Sequence, residues 1–313
     1  MASTAYLFPG QGAQYVGMAQ SLYNAYPDAA ARIDAANDIL GVDLRALMFG
    51  TADVEDAEAA LTETQITQPA LYTHSLAAMA VLNAHNRAPD MVAGHSLGEY
   101  SALAAAGALS FEDGLRLVRR RGELMAEAGD VRPGTMAAVL GADDETVESI
   151  CSQITETGTG VVQPANFNAP GQIVISGDVK AVERACDVIE ARTLPLSVSG
   201  AFHSPLMAYA REGLTEALEA VSIQPPTCPV YLNVTAAPTT DPDEIRQRLI
   251  EQLQAPVRWA QLLQAIEADG ADRFVEVGAG TVLQGLVKRT LGRDTQRHSA
   301  DTADDLADLL DAA

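Results

Sequence analysis

Lysine is nearly missing from this chain: of its 20 lysine and arginine residues only Lys180 and Lys288 are lysine, set against 42 aspartates and glutamates. The formal net charge of −22 repels phosphate backbones and anionic membrane surfaces, so neither nucleic acid nor membrane is an expected partner. An acidic excess with scarce lysine suggests a salt-rich cytoplasm, although a high-GC genome would also favour arginine. Cysteine is sparse as well. Cys151, Cys186 and Cys228 are scattered, odd in number and without metal-ligand spacing, which predicts reduced thiols, no disulfide framework and no metal. No apolar run reaches the ~18 residues of a membrane span, and Met1-Ala-Ser-Thr lacks the basic start of a secretory signal, so a cytoplasmic location is expected. Repeats and long low-complexity tracts are also lacking. What remains is 313 residues with 48% hydrophobic content, enough to bury a core larger than that of a usual single domain.

One stretch organises the rest. Met91-Val-Ala-Gly-His-Ser-Leu-Gly-Glu-Tyr100 is a short apolar run, a glycine-flanked serine and the start of an Ala/Leu-rich segment. It reads as strand, sharp turn and helix with Ser96 at the turn. Gly-x-Ser-x-Gly in that setting is a nucleophile elbow, which exposes the serine hydroxyl above a sheet while helix-start N–H groups stand ready for an oxyanion. The plainer alternative is a glycine-punctuated turn carrying an incidental serine.

Before the elbow, Ala5-Tyr-Leu-Phe8 is a strand running into Pro9-Gly-Gln-Gly12. Its two glycines let backbone around Gln11 approach a ligand, or simply make a turn. Gln65-Ile-Thr-Gln-Pro-Ala70 opens a helix with Pro69 suited to its first position. After the elbow, Ser110-Phe-Glu-Asp113 is an N-cap and acidic first turn. Of the three consecutive arginines in the middle of the helix that follows, Arg119, Arg120 and Arg121, only Arg121 has apolar neighbours at every ±3 and ±4 position: Leu117, Val118, Leu124 and Met125. Arg121 therefore projects from the buried face. A buried guanidinium needs an anionic partner, either an internal carboxylate or a substrate carboxylate gripped by its fork.

From about residue 130 the order becomes βαββαβ: strand 134–140, helix 143–154, strands 160–168 and 172–176, helix 179–191 and strand 193–198. That is the order of a ferredoxin-like unit. Directly after it, Ser199-Gly-Ala-Phe-His203 supplies the best of five histidines as base for Ser96, the alternative being a structural loop histidine. His95, placed on a strand beside Ser96, should point to the opposite face. The last third reads as strand 229–234, helix 241–253, strand 274–277 and helix 281–291. The turn Gly278-Ala-Gly280 lacks the residues of a phosphate loop.

With Leu7-Phe-Pro-Gly-Gln-Gly12, Thr67-Gln-Pro-Ala70, Gly94-His-Ser-Leu-Gly-Glu99, Arg121-Gly122, Asn166 to Gly177, Phe202-His203, Gln252-Leu253 before Pro256-Val257, and Glu276-Val-Gly278 in this order, the chain resembles the malonyl-CoA:acyl carrier protein transacylases of type II fatty acid synthesis along nearly its whole length. The resemblance implies an α/β fold: an α/β-hydrolase-like parallel-sheet core made of residues 1–129 and 200–313, with a ferredoxin-like small domain, 130–199, inserted. It implies that Ser96 takes the malonyl group, that His203 is base and then acid, and that the N–H groups of Gln11 and Leu97 form the oxyanion hole. Arg121 would hold the malonate carboxylate, and the backbone carbonyl of Gln252 would orient His203. Ala201-Phe202-His203 matches the malonyl-selective form; Gly278-Ala279-Gly280 departs from the family's glycine-proline-glycine. No bound cofactor or metal is implied, only malonyl-CoA as substrate, phosphopantetheine on an acyl carrier protein as acceptor, and a monomeric enzyme. Such carriers are acidic, so docking would fall to basic clusters such as Arg116, Arg119 and Arg120, or Lys288 and Arg289. Rival readings are a discrete malonyl acyltransferase serving polyketide synthase carriers, an esterase with no use for a buried Arg121, and a non-catalytic carrier-binding protein.

Overall fold

The computed structural model describes residues 3–53 and 56–311. Among the described residues ten strands run in chain order: β1 (Ser3–Phe8), β2 (Met91–Gly94), β3 (Thr135–Leu140), β4 (Val162–Ala169), β5 (Gln172–Gly177), β6 (Arg192–Pro195), β7 (Val230–Tyr231), β8 (Pro238–Thr239), β9 (Ala271–Val277) and β10 (Gln296–Ala300). Six of them form one sheet in the order β10-β9-β1-β2-β7-β8, parallel except for the short β8. Alternate side chains leave opposite faces. Tyr6, Phe8 and Val92 enter a core shared with helices Thr64–Ala84, Gly98–Ala105 and Phe111–Val131. Ala5, Leu7 and Ala93 face a second core with helices Trp259–Ala268 and Val282–Leu291. Covering both faces explains why these strands are apolar throughout rather than alternating.

The other four strands form an antiparallel sheet, β4-β5-β3-β6, with helices Asp144–Glu156 and Val179–Val188 packed on it. This is ferredoxin-like topology. Along its β4 edge it meets the segment that leads into helix Trp259–Ala268, where the N–H of Val257 donates to Ala165 O and the N–H of Phe167 donates to Val257 O, both at 2.9 Å. That edge carries Asn166 and Asn168 toward the serine.

Several local expectations are corrected. Helix Thr64–Ala84 starts before Pro69, which therefore lies inside it rather than at its first position. The missing proline N–H leaves the carbonyl four residues back, that of Gln65, without its helical donor; Nη1 of Arg119 donates to it at 3.3 Å. The strand expected over 229–234 pairs only at Val230–Tyr231, because Leu232 already turns to donate to Ala237 O. Helices Gln20–Ala25, Pro27–Leu40, Leu44–Phe49 and Ala57–Thr62, and strand β10, are additional to the sequence reading.

Candidate active site

The elbow is a matter of close approach. Ser96, between β2 and helix Gly98–Ala105, has φ 51°, a left-handed conformation that costs a non-glycine residue about 1–3 kcal/mol and persists only where surroundings enforce it. A Cβ on Gly94 would strike the Gly98 backbone, and one on Gly98 would strike the Phe8 carbonyl of neighbouring β1. Both glycines of the motif are therefore required by contact. Phe8 lies opposite Gly94 in the β1–β2 register, so the Gln11 loop and the elbow leave the sheet side by side at the carboxyl ends of parallel strands, where such sheets build their sites.

His203 reaches the same point from the far side. Its Nε2 is 2.7 Å from Ser96 Oγ and its Nδ1 is 2.8 Å from the backbone oxygen of Gln252. A carbonyl can only accept, so Nδ1 carries the proton and Nε2 offers its lone pair to the serine hydroxyl. His203 is buried and has φ 57°, and its carbonyl accepts a 2.8 Å bond from Gln163 Nε2. Burial, with the nearby Arg121 charge next, pushes its pKa down to about 3. The imidazole is thus a neutral base at any ordinary pH.

Arg121, only 1% exposed, donates Nη1 to Gln68 Oε1 at 2.9 Å, and Nη2 to Gln252 Oε1 at 2.9 Å and Ser96 Oγ at 3.1 Å. All three acceptors are neutral. Among the described residues Arg121 forms no ion pair, and its buried Nε has no acceptor. The internal salt bridge left open by the sequence is not what the fold provides. A fixed cation held by amides, beside a serine hydroxyl, has the chemistry that suits a carboxylate.

Gln252 joins the three groups. Its carbonyl orients His203, its Oε1 accepts from Arg121, and its Nε2 donates to Ser96 O at 3.0 Å. Gln11, Ser96, Leu97, Arg121, Phe202 and His203 line one cavity of about 330 Å³, walled on the other side by Met136, Val174 and Leu196 of the small sheet and its exit. The N–H groups of Gln11 and Leu97 donate to no protein acceptor among the described residues. His95 is not on a strand, because β2 stops at Gly94; it lines this cavity too, with Nε2 2.7 Å from Asn168 Oδ1. No group of three or more His, Cys, Asp or Glu side chains suited to a metal occurs among the described residues.

Residues 5–306 match the model of the acyl transferase domain family. The chain belongs to that family. This acyltransferase is 46% identical over 293 residues to the malonyl CoA-acyl carrier protein transacylase of Bacillus subtilis, covering 92% of this chain and 90% of that one. It is 42% identical over 310 residues to the protein of the same name from Staphylococcus aureus, covering 98% of each. Among solved structures, one described as MCAT from Streptococcus pneumoniae superposes with a TM-score of 0.92 at 42% identity, covering 99% of this chain and all of that one. A malonyl-transacylase in complex with its type II PKS acyl-carrier protein superposes over the whole of both chains, with a TM-score of 0.92 at 38% identity.

Sequence reasoning about the acyltransferase passed over Gln68, Asn168 and Asn233. Gln68 was legible only as part of a helix opening, and Asn233 only as the end of a strand. Glu99, quoted within the elbow, is fully buried; its Oε2 accepts from the N–H of Asn233 at 2.8 Å, and burial raises its pKa to about 7.

Proposed function

We propose that the chain transfers malonyl from malonyl-CoA to the phosphopantetheine thiol of an acyl carrier protein, through a malonyl ester on Ser96, supplying fatty acid synthesis. The observation that carries this reading is Arg121, a buried guanidinium with only neutral acceptors, one of them the hydroxyl of Ser96. A substrate carboxylate completes that site; a neutral acyl group leaves it incomplete. As Ser96 Oγ attacks the thioester carbon, His203 Nε2 takes the hydroxyl proton. The N–H groups of Gln11 and Leu97 receive the oxyanion. Collapse breaks the carbon–sulfur bond, and His203 returns the proton to the departing CoA thiol. The carrier's thiol then gives its proton to His203, attacks the seryl ester and leaves with the malonyl group, and His203 reprotonates Ser96. The carbonyl of Gln252 keeps Nδ1 protonated throughout.

Within this reading, residues 130–199 are one inserted unit that walls the acyl pocket, carried by a catalytic unit of 1–129 and 200–313. The enzyme is a cytoplasmic monomer that needs no resident cofactor. A polyketide carrier as acceptor is the second reading, favoured by the superposition on a transacylase solved with such a carrier; parallel assays with the two carrier types separate them. The test of the chemistry is intact mass after incubation with malonyl-CoA. One added malonyl group, mapped to Ser96 and absent in Ser96→Ala, is expected. Stoichiometric labelling of another residue in that variant refutes the nucleophile.

A further inference from the structure

Asn233 lies just beyond β7, is fully buried, and has every polar atom engaged. Its Oδ1 accepts from the N–H of Ser96 at 2.7 Å, and its Nδ2 donates to Gly94 O at 2.7 Å. Its own N–H donates to Glu99 Oε2 at 2.8 Å, and its carbonyl accepts from the N–H of Arg258 at 3.0 Å. One side chain therefore spans the elbow from the last residue of β2 to the serine, while its backbone is moored to the elbow helix and to the segment opening helix Trp259–Ala268.

Two consequences follow from this placement. Ser96 is the non-glycine residue that must stay left-handed within the turn, and a left-handed residue holds only if its backbone groups are occupied where that conformation puts them. Asn233 occupies one of them. It also removes the Ser96 N–H from the set of donors facing the acyl group, so the oxyanion falls to Gln11 and Leu97. We infer that Asn233 is a positioning residue for the transfer, holding Ser96 in the left-handed turn that aims Oγ at His203. The inference rests on Ser96 being the nucleophile, and it concerns a residue that touches neither substrate nor the reacting atoms.

The physical signature is a loss of rate without loss of binding. Asn233→Ala strands the Ser96 N–H and the Gly94 carbonyl in a buried turn; relaxing φ at Ser96 relieves them and moves Oγ off line. A displacement of that kind costs on the order of 10²-fold in kcat, with KM for malonyl-CoA nearly unchanged because Arg121 and the pocket walls are intact. Asn233→Asp makes the sharper test. Ionised, the new carboxylate still accepts from Ser96 but points an anionic oxygen at the Gly94 carbonyl, beside Glu99. Protonated, it accepts from Ser96 and donates to Gly94, as the amide does.

The other titratable or charged groups around the turn are Glu99, Arg121, His203, His95 and Arg258. Of these only Glu99 gains a proton near neutrality, since both histidines are held below their usual range by burial, and Glu99 is common to all the variants. The kcat of Asn233→Asp, relative to wild type, should rise by at least about tenfold between about pH 8 and pH 5.5, because a buried carboxyl beside another titrates upward into that range. Rates are taken per folded molecule from circular dichroism melts, and if Asn233→Ala does not fold, Asn233→Asp against wild type carries the test. A kcat of Asn233→Ala close to wild type, a parallel change in kcat and KM, or an Asn233→Asp rate that does not recover on acidification overturns the inference. Malonyl mapped to Ser96 in the wild-type enzyme in the same experiment keeps that failure distinct from failure of the nucleophile assignment.

Discussion

Replacing Arg121 by alanine tests the acyl selectivity most directly. The guanidinium has lost its hydration, touches three neutral oxygens and leaves Nε without an acceptor. A carboxylate arriving in the pocket therefore meets a cation that no carboxylate contacts directly, with buried Glu99 acting on it only at longer range. Hydrogen bonds to charged groups contribute about 1.5–3 kcal/mol each, and an arginine fork makes two of them to one carboxylate. The pair is then worth roughly 3–5 kcal/mol in a buried setting, a loss of about 10²–10⁴-fold in kcat/KM at 1.4 kcal/mol per tenfold. Acetyl-CoA offers no carboxylate and never gains that pair. The assay is acyl-enzyme formation by quenched-flow mass spectrometry with malonyl-CoA and acetyl-CoA in parallel. Arg121→Ala should lose malonyl transfer while acetyl transfer falls much less, reversing or nearly closing the preference. Arg121→Lys should recover little, because a point charge does not reproduce the fork. An equal fall with both substrates would show that Arg121 only supports Gln68 and Gln252, and the carboxylate-site reasoning would be wrong.

Three further expectations follow. Because burial and Arg121 push His203 down to about 3 from 6.5, its basic form is present above that value, so acylation should hold its rate through mildly acidic pH; an inflection near an ordinary histidine pKa that survives Glu99→Gln would contradict this. Gly98→Ala forces a methyl into the Phe8 carbonyl and should lower stability by at least ~1–3 kcal/mol, read as a drop in Tm; an unchanged Tm would mean the elbow tolerates a shift. Finally, a chain of −22 whose Arg119 and Arg120 are already paired with Glu123 and Glu127 should repel an acidic carrier at low ionic strength. Transfer to the carrier should speed up toward molar KCl, where the Debye length is ~3 Å, and a steady fall would mean net attraction dominates.

What could be read beforehand was the part set by short-range backbone chemistry. Gly94, Ser96 and Gly98 declare a turn because only glycine fits against Gly98 and Phe8, and Arg121 declares itself because its ±3 and ±4 neighbours are all apolar. The βαββαβ order of the small unit was legible from turn residues and periodicity. Less legible was whatever depended on residues far apart in the chain meeting. Pro69 looked like a helix start, and only the approach of Arg119 to the Gln65 carbonyl shows how a proline is tolerated inside. Asn233 sits in an apolar run whose strand stops early, since its side chain is drawn to the elbow more than 130 positions away. The two amides holding Arg121, Gln68 and Gln252, come from separate helices and carry no local signal of pairing.

Arg121 Nη2 and Ser96 Oγ are 3.1 Å apart, so the anchor proposed for the acid end and the atom proposed to receive the acyl end are neighbours. That spacing is a ruler for chain length. An acyl group with one methylene between its two carboxyl carbons folds back across the gap and satisfies both ends. A group with two or three has to buckle inside a pocket walled by Met136, Val174, Leu196 and Phe202, or release the arginine. On the proposed reading, the spacing of the cation from the nucleophile therefore also counts carbons, and lengthening the accepted diacid would require moving the helix that carries Arg121 rather than enlarging the pocket.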